Sequence, residues 1–228
     1  MKGHIPENYI AVETHCHSLG GSHCAHVSPE EIVKLYKEAD YGVLILTNHY
    51  NQETIPKGSS AKFAAKAYID RFLKVQELGA AVGLEVWFGI ETCIAGGGDD
   101  FLIFGAESDF LLENLRLFAM SQKEVFVECE RYGALLYQAH PYRSWCQRRN
   151  PAFMHGAEVY NGNTHHNSQD KKALAWAQKE GLLFSSGSDF HNPEDLGRGG
   201  ILLPKEVSNG KSLVDYLIAN EVELITAM

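Results

Sequence analysis

The stretch "YIAVETHCHSLGGSH", residues 9–23, decides how the rest of the chain is read. An apolar run, Ile10 to Val12, is followed by three imidazoles within nine positions, His15, His17 and His23. If the run is a strand, side chains alternate across it, so His15 and His17 share one face while Cys16 points to the other. A strand ending in two converging imidazoles is unusual chemistry to place on a mere structural element. It raises the question of what else converges there.

Working outward, six further apolar segments have strand-like length and content: "YGVLILTNH" (41–49), "LEVWFGIE" (84–91), "DFLIFGA" (100–106), "ALLYQAH" (134–140), "AEVYNGN" (157–163) and "LLFSSGSDFH" (182–191). Helical stretches lie between most of them. "SPEEIVKLYKEA" (28–39) has Ser28 as N-cap, Pro29 in the first turn and Glu31 positioned for a capping box. Residues 61–79, 111–133, 167–181 and 212–220 read as helices as well. The alternation predicts an α/β fold with a largely parallel sheet, and seven strands suit a barrel. Only "TCIAGGGD" (92–99) separates the third and fourth segments, shorter than a helical crossover needs. The fourth strand is therefore expected as a hairpin partner, making the barrel irregular there. With no repeat, linker or compositional break, residues 1–228 are expected to form one domain.

Lys and Arg total 20 against 29 Asp and Glu, a formal charge of −9, which argues against broad binding to nucleic acid or anionic lipid. No apolar run reaches membrane-spanning length and the N-terminus shows no signal pattern, so a cytoplasmic address is expected. The five cysteines include no CxxC pair and read as reduced structural thiols.

The decisive pattern is positional. His17, His49, Glu91, His140 and the pair Asp189/His191 each end a different candidate strand, the rim where parallel barrels assemble their chemistry. Such imidazoles and carboxylates, without a thiolate, suit Zn, Mn or Fe, and a bridging carboxylate favours more than one ion. A lone histidine is ordinarily a hydrogen-bonded core or surface residue, and His4, His26, His155, His165 and His166 are read that way. For anion contacts, Arg143 follows His140 by three residues and Arg198 follows His191 by seven; both are candidates for binding phosphate. Asn161 and Asn163 end the sixth strand near the same mouth.

In the order H-x-H, "TNH", "GIE", "AHP" and "SDFH", the chain resembles the PHP (polymerase and histidinol phosphatase) family of metal-dependent phosphoesterases, from Glu13 to about Gly200. The resemblance implies a distorted (β/α)7 TIM-like barrel with a two- or three-metal cluster at its C-terminal mouth. By the same resemblance, His15, His17, Glu91 and Asp189 hold one metal, and Glu91 bridges to a second shared with His140. His23, His49 and His191 hold a third. Two positions depart from the family pattern. Asn48 stands where a carboxylate is usual; alternation turns it away from the direction of His49, so the expected loss is a supporting role and not a metal ligand. The histidine usual on the fourth strand is missing; Asp100 replaces it if that strand is a hairpin partner, Glu107 if it runs parallel.

The function implied is hydrolysis of a small phosphorylated substrate, a phosphomonoester first, through a metal-bridging hydroxide. Glu91, His191, Arg143 and Arg198 are the catalytic candidates. A phosphodiesterase acting on nucleotides or short oligonucleotides is the alternative, followed by a non-catalytic metal-binding regulatory domain and an amidohydrolase-type enzyme. No membrane partner is expected, and the acidic chain disfavours long nucleic acid.

Overall fold

The first strand, β1 (Tyr9–Cys16), lies inside the sheet with a neighbouring strand on each side. The structure, a computed structural model, describes residues 5–227; His4 and Met228 lie outside them. After β1 come α1 (Pro29–Glu38), β2 (Tyr41–Leu46), α2 (Ala61–Val82), β3 (Glu85–Cys93), β4 (Asp100–Phe104), α3 (Ser108–Glu113), α4 (Gln122–Tyr132) and β5 (Leu135–Gln138). The chain continues through β6 (Gly156–Asn161), α5 (Asp170–Glu180), β7 (Leu183–Gly187), β8 (Gly199–Pro204), α6 (Gly210–Ala219) and β9 (Glu223–Thr226).

One nine-stranded sheet runs in the order β7-β6-β5-β4-β3-β2-β1-β8-β9. The β1, β2 and β3 strands are parallel, as are β5, β6 and β7, while β4 is antiparallel to both β3 and β5. This is the hairpin expected from the short 92–99 connection. It sets Asp100, at the start of β4, opposite Cys93 at the end of β3. The sheet curls until the segment after β7 meets the end of β1: the His17 amide donates to the Phe190 carbonyl (3.0 Å) and the Phe190 amide to the His15 carbonyl (3.1 Å). The fold is a mixed α/β, nearly closed barrel. Below that closure β1 turns to β8, which runs antiparallel from Tyr9↔Pro204 to Val12↔Ile201. After α6, Glu223–Thr226 forms β9, antiparallel to β8.

Strand alternation separates two cores. On the face shared with His49 and Glu91, Val43, Ile45, Trp87, Leu102 and Tyr137 pack together with Leu213, Val214 and Leu217 of α6. A Cβ at Gly105, just beyond β4, would meet Val214, so α6 stops the end opposite the histidines. The other strand faces pack beneath α1, α2 and α4. Helix ends follow the sequence signals. The Ser28 side chain accepts the Glu31 amide at the start of α1, although the reciprocal Glu31 arm of the expected box does not close. The helix expected over 111–133 is instead two, because Ser121 and Glu124 form a capping box that starts α4 afresh.

Candidate metal centre

A bulge builds the site. Between Glu13↔Leu44 and Cys16↔Leu46, two residues of β1 stand against one of β2, which re-aims the strand so that His15 faces the barrel mouth. The freed His15 amide donates to Glu13 Oε1 (2.9 Å), and the Ser188 amide reaches the same oxygen (2.9 Å). Tyr36 of α1 donates to the other oxygen (2.8 Å). Burial pushes the Glu13 carboxyl up to about 7 against these donors. At Gly187, the end of β7, a Cβ would come 2.4 Å from His15 Cβ, so only glycine admits the imidazole there.

Glu91 is the centre of the cluster. Its Oε2 lies 3.3 Å from His15 Nε2, 3.2 Å from His17 Nε2 and 2.9 Å from His49 Nδ1, while Oε1 lies 3.3 Å from His140 Nε2. Asp189 Oδ1 is 3.3 Å from His15 Nε2 and 3.4 Å from His17 Nε2. Burial alone would raise Glu91, but His49 and His15 hold it well below the ordinary carboxylate range; His15 and Arg143 do the same for Asp189. Asp100, half-buried, is pushed up to about 6 by burial and by the Glu91 charge beside it. His140 and Asp189 sit at φ 29° and 49°, left-handed backbone that non-glycine residues avoid unless the surroundings hold them.

These residues fit divalent metal ions. His15 Nε2, His17 Nε2, His49 Nδ1 and both Glu91 oxygens are buried without hydrogen-bond partners, a costly arrangement that a cation would relieve. Three sets bring ligand atoms within 4.8 Å of one another: His15/His17/Asp189, His49/Glu91/Asp100 and His17/His49/His191. The ring tautomers agree. Nδ1–H of His15 donates to Glu158 Oε1 (2.8 Å), that of His17 to Ser22 Oγ (2.9 Å) and that of His191 to the Asp189 carbonyl (2.8 Å), leaving Nε2 free in each.

A second layer holds these rings. Glu158 Oε2 also accepts the His140 amide (2.9 Å) and Asn161 Nδ2 (2.8 Å). Asn48 Oδ1 accepts from the Ser18 amide (2.8 Å) and from Ser22 Oγ (3.3 Å), so it steadies His17 through Ser22. Asn48 thus makes supporting hydrogen bonds at the position where such a role was expected to be lost. Arg143 is buried, with Nη2 on Asp189 Oδ2 and on Asn161 Oδ1 (2.8 Å), and Nε on Ser168 (3.3 Å).

The structure thus gathers His15, His17, His49, Glu91, Asp100, His140, Asp189 and His191, with Arg143 beside them. It does not gather three others. His23 is exposed, its Nε2 3.2 Å from the Glu53 carbonyl, because the loop after β1 turns it outward. Arg198 donates its Nε to the Gly162 carbonyl (2.8 Å), outside the cavity lining. Glu107 lines a different cavity, with Gly210 of α6. The mouth is a cavity of about 470 Å³ that the exposed His26, His165 and His166 also line. His155 lies away from it, half-buried and bonded to the Leu136 amide and Glu130. Cys24 lines the mouth with its Sγ 3.0 Å from His191 Nε2, against the expectation of purely structural thiols. Sequence reading also missed Glu158, whose only signal is a carboxylate on an otherwise apolar strand.

Residues 167–222 match the PHP-associated family. No curated protein matches the chain. Three solved structures share the fold. A two-domain protein from Bacteroides vulgatus ATCC 8482 containing a predicted PHP-like metal-dependent phosphoesterase is 18% identical at a TM-score of 0.65, over 98% of this chain and 67% of that one. PsfC from Pseudomonas syringae PB-5123 is 14% identical at 0.70, over 96% and 92%. The lesion-specific endonuclease PfuEndoQ from Pyrococcus furiosus is 14% identical at 0.62, over 95% and 57%. The chain thus shares the fold of these structures, and its residues 167–222 are similar to the PHP-associated family.

Proposed function

We propose that the chain is a metal-dependent phosphoesterase acting on a small phosphorylated compound, with two or three divalent ions of Zn, Mn or Fe at the rim. The observation that carries this is Glu91, whose two buried oxygens face four histidines and have no hydrogen-bond partner. His15, His17 and Asp189 would hold one ion, with Glu91 shared toward a second at Asp100 and His140, and His49 and His191 left for a third. When bound, such ions acidify a water and neutralise phosphoryl oxygens. The chain's own residues do the rest. Glu158, Ser22 and the Asp189 carbonyl hold the protons on the Nδ1 atoms and so keep each Nε2 turned inward. Arg143 is occupied by Asp189 and Asn161, which makes it a positioning residue for Asp189 more than a free phosphate clamp.

The cavity volume suits a small phosphomonoester. A nucleotide or short oligonucleotide is a second reading, supported by Trp145, 51% exposed at the mouth where a base could stack, and by the likeness to an endonuclease. Metal analysis of protein purified without chelators, paired with hydrolysis of p-nitrophenyl phosphate and its bis-ester under added Zn, Mn and Fe, tests both. At least two ions per chain and hydrolysis lost on Glu91→Ala are expected. Metal content unchanged by that substitution, or no hydrolysis across a broad phosphoester panel, would overturn the reading.

A further inference from the structure

Cys24 stands on the exposed loop between β1 and α1, yet its Sγ faces the cavity, 3.0 Å from His191 Nε2, and also reaches His49. Because the His191 Nδ1–H is committed to the Asp189 carbonyl, the Nε2 facing Cys24 carries the ring's lone pair. The Nε2 of His17 is fully buried without a partner, and its ligand atom lies within 4.8 Å of those of His49 and His191. With His17 turned to Glu91 and Asp189, two imidazoles, His49 and His191, and one sulfur are left at the outer part of the cluster. His23, the histidine that the sequence offers for this place, faces the Glu53 carbonyl instead.

We infer that Cys24 is a thiolate ligand of the outermost metal position, joining His49 and His191 in place of His23. The inference rests on the metal-centre reading above. On binding, the thiol releases its proton to solvent and the sulfur forms a bond to the ion, with no change in oxidation state. A nitrogen and sulfur donor set selects a softer ion than the carboxylate-rich inner positions at Glu91, Asp100 and Asp189 do. The outer position then prefers zinc or cobalt, while the inner ones accept manganese or iron.

Cobalt(II) titration of the metal-stripped full chain tests this. The intact chain should bind more than one cobalt ion and develop a near-ultraviolet thiolate-to-cobalt charge-transfer band. Cys24→Ser should abolish the band and raise the dissociation constant of the weakest ion about tenfold or more, whereas His23→Ala should keep both. Loading should also protect Cys24 from alkylation by iodoacetamide, read by peptide mass spectrometry, which needs no variant to fold. Cys146, with its Sγ 3.6 Å from His140 Nδ1, is the other thiol near a ligand. A band lost in Cys146→Ser but kept in Cys24→Ser would overturn the assignment. Cobalt bound without any thiolate band, or Cys24 alkylated equally in loaded protein, would overturn it while leaving the metal centre standing. A chain that binds no cobalt would sink both.

Discussion

Glu158 Oε1 lies 2.8 Å from His15 Nδ1, joining the middle of β6 to the end of β1 across the barrel. Carboxylates so placed fix the tautomer of a ligand imidazole and raise its basicity. Replacing Glu158 with Gln keeps the shape and removes the charge. Metal affinity should fall roughly ten- to a hundredfold, measured by chelator competition, with the circular dichroism spectrum unchanged. Affinity equal to wild type would show that the histidine needs no such support.

Arg143 and Asp189 form a buried ion pair. Removing the cation leaves an uncompensated carboxylate, a loss of about 3–5 kcal/mol. Arg143→Ala should therefore lower both thermal stability and metal content, where a residue that only gripped substrate phosphate would raise KM alone. An unchanged metal content with a raised KM would return Arg143 to the role that sequence position suggests.

Trp145 separates the two substrate readings. Base stacking is worth about 1–3 kcal/mol, so Trp145→Ala should raise KM roughly five- to a hundredfold for nucleotide substrates and leave p-nitrophenyl phosphate nearly unaffected. Equal effects on both, in steady-state kinetics, would remove the stacking role.

Glu13 gives a pH signature in the metal-stripped protein. Its folded pKa of about 7 stands above the 4.5 of the free side chain, so folding favours the protonated form. Its contribution is full below pH about 4.5 and lost as pH rises through about 7, a change of about 3 kcal/mol. Denaturant titrations should show wild type losing stability relative to Glu13→Gln across that window. A pH-independent difference between the two would mean that its three donors keep Glu13 ionised throughout.

The sequence made the site legible wherever regular periodicity carried it. His15, His17, His49, Glu91, His140 and Asp189 end strands, and alternation aims strand residues without help from the rest of the chain. Asp100 followed from a connection too short to cross over, a purely geometric argument. The failures lie where no period exists. The loop from Ser18 to Val27 has no repeating pattern, so nothing local told His23 from Cys24, and only the hydrogen bond from the Leu19 amide to the Val27 carbonyl and its neighbours decided which faced the mouth. Glu13 was hidden differently: the bulge that follows it breaks the alternation by which its direction would be read. The break before α4 was legible, since Ser121 and Glu124 spell a capping box, but the apolar run on either side masked it.

The divided pairing of β1 sets an order of events during synthesis. Thr14 Oγ1 donates to the Ser186 carbonyl, 172 residues away, and Tyr9–Val12 pair with β8 still later in the chain. At ribosomal rates of about 5–20 residues per second, β1 waits roughly ten to thirty seconds for these partners. Until then His15 and His17 have neither Asp189 nor the closing strand, and any ion they capture is held weakly. On the proposed reading, a complete metal site therefore has to wait until the chain has been made as far as β8.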